Sequence, residues 1–314
     1  MRRLLRYVLI ACAALAFGAM LGVAAGYRAD QPGSGQPVAR GVIQAHAVAA
    51  AAQSAAPRAA SPQPAWLRNA VMTVVPPGRV PVAIVIDDMG IDRTRSDRAA
   101  ALPPPLTLAF LPYARAFEAQ IAAGRARGHE ILLHMPMQPI GAEDPGPGAL
   151  TLALNSDEIR RRFAAALDRA GPVVGVNNHM GSRFTVERDA MRPVLEELQA
   201  RGLLFLDSRT AGATVGPALA RTLGVPYTTR DVFLDNDPSI EAVHARLSEL
   251  EATARRQGHG VAIGHPHDGT LAALSTWLPT AAARGFALVP VSTIVRLSLE
   301  RQQRDSNYNE WRPR

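Results

Sequence analysis

The chain has 314 residues, 47% hydrophobic and 19% charged, which is enough apolar material for one barrel-sized domain or two small ones. Its net charge is +7 and every cationic side chain is arginine, but the arginines are scattered and no nucleic-acid motif appears, which argues against nucleic acid as a partner. The single cysteine, Cys12, falls in the first apolar run, so the rest of the chain has no disulfide, no Cys-ligated zinc and no cysteine nucleophile.

Arg2, Arg3 and Arg6 precede an uncharged stretch over residues 8–26. A basic end followed by an apolar run is an export signature, with the positive side kept in the cytoplasm. Roughly 20 apolar residues suffice to span a bilayer, so residues 1–28 read as a membrane anchor or, with Ala24 and Ala25 as a cleavage region, as a signal peptide. Both readings put the remainder in the periplasm or another extracytoplasmic space. Residues 29–79, mostly Ala, Pro, Gln, Gly and Ser, read as a disordered tether, because such a composition buries too little to offset ordering entropy. The polar residues 299–314 read as a frayed tail.

Between them, residues 80–298 alternate short apolar runs with helical patterns. The runs occupy 82–86, 106–110, 130–134, 173–177, 203–207, 261–265 and 286–290, with a weaker one near Pro226 and Tyr227. Each is apolar on both faces, as strands covered on two sides should be. Amphipathic stretches at 156–170, 187–200, 240–257 and 271–283 lie between them, and Asn155 with Glu158 has the spacing of a capping box. This alternation predicts a distorted parallel β/α barrel of about seven strands, closed or nearly so. The first strand is followed by no G-x-G-x-x-G, which disfavours a dinucleotide-binding fold.

Polar clusters follow the strands at equivalent positions: Asp87-Asp88, His134, Asn177-Asn178-His179, Asp207-Ser208-Arg209 and His265-Pro266-His267. In a β/α barrel the carboxyl ends of the strands converge on one face, so these clusters are expected to ring one site. Taken singly, Asp87 or Asp88 could be a turn or N-cap residue, His134 a core histidine, and Asp207 an ion-pair partner of Arg209. His46, His129, His244 and His259 lie away from the strand ends and are assigned no role. One carboxylate with two imidazoles is a usual set for a divalent ion, zinc above all, that keeps a position open for water. A second carboxylate can then take a proton and a further histidine can give one, which suits hydrolysis of an amide or ester.

The segments VAIVIDDMG, GHEILLHMPMQP, GVNNHMGSRFT, LFLDSRT, RDVFLDN and VAIGHPHDGT, in this order, resemble the divergent polysaccharide deacetylases, distant relatives of the NodB-type carbohydrate esterases. The resemblance implies the barrel, export, and removal of acetyl groups from N-acetylated glycans. It places the base at Asp87, a metal ligand at Asp88, a second at His134 and the general acid at His265. The second histidine of the family's H-x-x-x-H falls on Gln138, and His179 is proposed to supply that imidazole. Asn178, Asp207, Arg209 and His267 are read as substrate-binding candidates. Arg183, Arg209 and Arg230 are alternatives for the arginine that orients the base, and Tyr113, Phe184, Phe233 and Trp277 are the candidate sugar platforms. Two other functions compete. The broken motif suits a non-catalytic periplasmic protein that binds a glycan or partner, and an aromatic content of only 5% suits hydrolysis of another amide or a phosphodiester.

Overall fold

A computed structural model of the protein describes residues 63–311. The proposed anchor, the tether up to residue 62 and the last three residues lie outside them. Among the described residues no helix is long and apolar enough to cross a membrane.

Nine strands form one parallel sheet. They are β1 (Val80–Met89), β2 (Thr107–Phe110), β3 (Glu130–Met137), β4 (Gly175–Met180), β5 (Leu204–Asp207), β6 (Tyr227–Thr229), β7 (Val232–Phe233), β8 (Gly260–Gly264) and β9 (Phe286–Leu288). Their order is β6-β5-β4-β3-β2-β1-β8-β7, with β9 paired to β1 near its start. The curled sheet is a distorted barrel, as expected, but β6 and β7 do not pair with each other, so the hydrogen-bonded ring is left open there. The two-residue β7 had no sequence signal, because a strand this short shows no periodicity.

Nine helices accompany the described strands: α1 (Ala65–Arg68), α2 (Arg93–Ala99), α3 (Phe117–Ala126), α4 (Ser156–Ala170), α5 (Arg188–Arg201), α6 (Gly216–Leu223), α7 (Ile240–Gln257), α8 (Asp268–Trp277) and α9 (Val291–Trp311). At the start of α4, Asn155 Oδ1 accepts from Glu158 N at 2.9 Å, which is half of the expected capping box. The Glu158 carboxylate turns away to Arg161 and Arg162 instead of returning to the cap.

The pleat sorts the strand residues into two cores. Val82, Ile84 and Ile86 of β1 face the helices, together with Phe205 of β5 and Ala262 of β8. Ala83, Val85, Leu132, Leu204, Leu206, Val261 and Ile263 face inward and pack with Trp66, Val291, Ile294 and Val295. Trp66 is 4% exposed, and its backbone N–H donates to the Gly202 carbonyl at 2.9 Å. Order therefore begins before residue 79: the tether reading fails for residues 64–79, where one large aromatic outweighs a loop-like composition. Likewise 299–311 is not a frayed tail, because α9 is rooted in the inner core through its first turns and continues to Trp311.

Candidate active site

Parity along the strands decides which polar residues enter the barrel. Asp87 continues the inward series Ala83, Val85, and His134 continues from Leu132. Asn177 and His179 alternate with outward Val176, and His265 follows Val261 and Ile263. Asp88 should point outward. The β1–β2 register shifts between Ile86 and Met89, and Asp88 takes φ 55°, so this irregularity turns a second carboxylate into the same space.

Asp87, Asp88, His134, Asn178, His179, Ser208, Arg209, Arg230, Phe233 and His265 line one cavity of about 490 Å³ with Met180, Thr210 and Asn236. Within it, Asp88 Oδ1 lies 2.8 Å from His179 Nδ1 and 3.3 Å from His134 Nε2. This oxygen is buried, yet neither contact has hydrogen-bond geometry, and it finds no partner among the described residues. Three donor atoms converging without bonding one another suit a shared cation, and Asp, His and His form a donor set that fits zinc.

The residues behind these atoms fix their orientation. Asn177, which is fully buried, donates from Nδ2 to both Asp87 oxygens at 2.8 and 3.0 Å and to Ser208 Oγ at 3.1 Å. Its Oδ1 then accepts from His134 Nδ1 at 2.9 Å, which leaves the lone pair of His134 on Nε2, facing Asp88. Burial pushes the Asp87 carboxyl up, against the pull of His134, His265 and Asn177. Burial would also raise Asp88, but the flanking His134 and His179 imidazoles hold it well below the usual carboxylate range.

On the opposite wall His265 Nε2 is 3.9 Å from Asp88 Oδ2. Its Nδ1 is 3.0 Å from Oδ1 of Asp235, whose side chain is wholly buried and also accepts from the His265 backbone N–H and from Thr270 Oγ1. Burial would lower His265, but its bond to Asp235 and the nearby carboxylates raise it to about 9. The sequence places Asn177 in a strand-end cluster without giving it a role, and it does not single out Asp235. The inward parity of residue 177 could have identified the first, whereas Asp235 follows the undetected β7.

The other expected residues separate. Asn178 reaches the cavity wall but spends its amide on Ser208 N, Met180 O and Thr210 Oγ1. Asp207, expected to bind substrate, lies on the outward parity and is fully buried outside the cavity lining. Its Oδ1 accepts from Arg209 N at 2.7 Å, so it shapes the loop that carries Arg209. His267 lines a neighbouring cleft of about 270 Å³ with Tyr113, which shares Asp88, His179 and His265 with the main cavity. Gln138 does not join the Asp88, His134 and His179 group. Its Oε1 accepts from Leu152 N and its carbonyl from Arg183 N and Phe184 N, so it ties two loops together. Of the aromatic candidates, Trp277 and Phe184 are core residues, while Phe233 lines the cavity. His129 bridges Leu106 N and Ala100 O and has only a structural position.

Comparison with known proteins identifies relatives and a family. The chain is 34% identical over 197 residues to an uncharacterized protein of Haemophilus influenzae, a match covering 63% of this chain and 70% of the relative. It is 33% identical over 217 residues to the uncharacterized protein YibQ of Escherichia coli, covering 69% and 66% respectively. The uncharacterized protein ATU2773 of Agrobacterium tumefaciens C58 superposes with a TM-score of 0.71 at 30% identity, over 74% of this chain and 95% of that one. The model of the divergent polysaccharide deacetylases matches residues 84–295, which span both walls of the cavity, and the chain belongs to that family.

Proposed function

We propose that the protein is a metal-dependent hydrolase that removes acetyl groups from an N-acetylated glycan of the cell envelope or its surroundings. The observation that carries this reading is the convergence of His134 and His179 on the unbonded, buried Asp88 oxygen, opposite a histidine held by its own buried carboxylate.

Asp88, His134 and His179 would hold the ion. Zinc supplies Lewis acidity to a carbonyl oxygen and to water. Asp87, fixed by the Asn177 amide and raised by burial, accepts the proton of the attacking water. His265, kept protonated at neutral pH by Asp235, donates a proton from Nε2 to the amide nitrogen as the carbon–nitrogen bond breaks, and acetate and the free amine result. Residues 8–26 export the barrel, and the chain up to residue 62 spaces it from the membrane or is released with it.

Acetate release from an N-acetylglucosamine oligomer by the zinc-loaded protein tests the reaction. Asp87→Asn is expected to slow it by roughly 10²–10⁴-fold, the usual contribution of general base catalysis. Wild-type protein that binds the oligomer but releases no acetate would make it a binding protein. Zinc retained at wild-type stoichiometry by both Asp88→Ala and His179→Ala would refute the ligand set.

A further inference from the structure

The cavity has a second chemical character on the wall made by the segments after β5 and β6. Arg209 and Arg230 both line it, and neither guanidinium has a carboxylate within 4.0 Å among the described residues. Elsewhere in the fold arginines do meet carboxylates, as Arg95 and Arg98 meet Asp268 and Arg201 meets Asp168 and Glu197. The two cavity arginines are set in place without a carboxylate touching either guanidinium. Arg230 donates from Nε to Ser208 O at 2.7 Å and from Nη2 to Arg209 O at 2.9 Å, and its guanidinium carbon lies 4.9 Å from the Phe233 ring centroid. Arg209 is exposed, with φ 51°, a conformation that strains any residue with a Cβ. The buried Asp207 carboxylate holds it there through its backbone N–H, and its side chain makes no hydrogen bond among the described residues.

Two like charges on one wall repel. Burial and the neighbouring Arg209 charge lower the Arg230 pKa, against the more distant pull of Asp87, Asp207 and Asp231. A protein gains nothing for its own stability from a strained backbone that projects an unpaired cation beside another, so the arrangement points to an anionic occupant. Guanidinium groups bind carboxylate and phosphate oxygens through paired N–H donors, and do so best in a partly desolvated site. Asn236, which lines the same cavity, offers a neutral amide suited to sugar hydroxyls.

We propose that Arg209 and Arg230 form a subsite for an oxyanion, carboxylate or phosphate, carried by the glycan close to its acetamido group, so that the substrate is an acidic rather than a neutral N-acetylated glycan. This rests on the reading of the cavity as the glycan site. Arg230 is fixed by backbone carbonyls and sets the charge of the wall, while the free Arg209 guanidinium closes on the anion.

The test is calorimetric binding by the zinc-loaded protein of three oligosaccharides of equal length. One is an N-acetylglucosamine tetramer, the second carries lactyl carboxylates on alternate sugars, and the third carries a sugar phosphate. At least one anionic oligomer is expected to bind about tenfold more tightly than the neutral one, equivalent to roughly 1.4 kcal/mol, and to show which oxyanion is preferred. Arg209→Gln should abolish that preference. Arg246→Gln, which removes an exposed arginine on α7 paired with Glu249, should leave it intact and so control for net charge. Equal affinity for all three, no binding at millimolar concentration, or a preference that survives Arg209→Gln would overturn the proposal. Acetate release measured on the same samples separates the two readings. Preferential binding without acetate release keeps the oxyanion subsite and rejects the hydrolase, whereas equal binding with acetate release does the reverse.

Discussion

At the strand ends opposite the site, Glu130 is 1% exposed where α9 enters the core. Its Oε1 accepts from Ser292 N at 3.0 Å and from Thr107 Oγ1 at 3.4 Å, its Oε2 accepts from Ser292 Oγ, and Thr107 Oγ1 in turn accepts from Val291 N at 3.0 Å. The carboxyl thus caps the first turn of α9, but burial outweighs these bonds and raises its pKa from 4.5 to about 7. An acid whose pKa is higher in the folded state keeps its proton there while the unfolded chain has lost it. Stability is therefore full below pH 4.5 and falls as the pH rises toward 7. Between pH 5 and pH 8 the loss is about 2 to 3 kcal/mol, at about 1.4 kcal/mol for each pH unit inside the window. Glu130→Gln keeps an acceptor for Ser292 N and has nothing to titrate. Urea unfolding of both proteins at pH 5 and pH 8 should show the variant gaining on the wild type by that amount across the interval. A difference that stays constant with pH would mean that Glu130 is already ionised in the fold, and the reasoning would fail.

Asp235→Asn should lower kcat by roughly 10²–10³-fold with little change in KM, since it acts on the acid rather than on the sugar. It should also draw the basic limb of the pH–rate profile downward from about 9, because His265 loses the charge that raises it. A profile unchanged in shape would remove His265 from the role of acid. Trp66→Ala should cost about 3–5 kcal/mol in chemical denaturation, the range for emptying a buried tryptophan site. A loss under about 1 kcal/mol would restore residues 64–79 to the tether. A Cβ on Gly269 would lie 1.9 Å from the Pro238 carbonyl oxygen, backbone that cannot rotate away. Gly269→Ala is therefore expected to cost about 1–3 kcal/mol and to lower the melting temperature measurably.

The sequence exposed the barrel because its strands are doubly buried and its helices amphipathic, and both patterns are local. It exposed Asp87, Asp88, His134, His179 and His265 because chemistry collects at strand ends. Parity with His179, two residues on, would also have selected Asn177, but it could not exclude Asp207, because that strand is apolar on both faces and only the fold shows which face is inward. Asp88 defeats that count, since only the irregularity in β1 turns it inward. Asp235 was hidden for another reason: its contact with His265 spans 30 residues, and the strand ahead of it has two. Trp66 shows the limit of composition, because one side chain that fills the inner core overrides a surrounding sequence with little periodicity.

Four non-glycine residues adopt positive φ: Asp88, Ala116, Met180 and Arg209 among the described residues. Ala116 precedes α3, and the other three stand on the rim of one cavity. Each such conformer costs on the order of 1–3 kcal/mol, so the fold gives up stability around the same cavity where it gathers its reactive groups. Glycine at any of the three would relax the chain, and at Asp88 or Arg209 it would also delete the side chain that the strain exists to present. A screen for thermostable variants would therefore be drawn toward these positions and would enrich inactive protein there, so such a selection needs a simultaneous readout of the site.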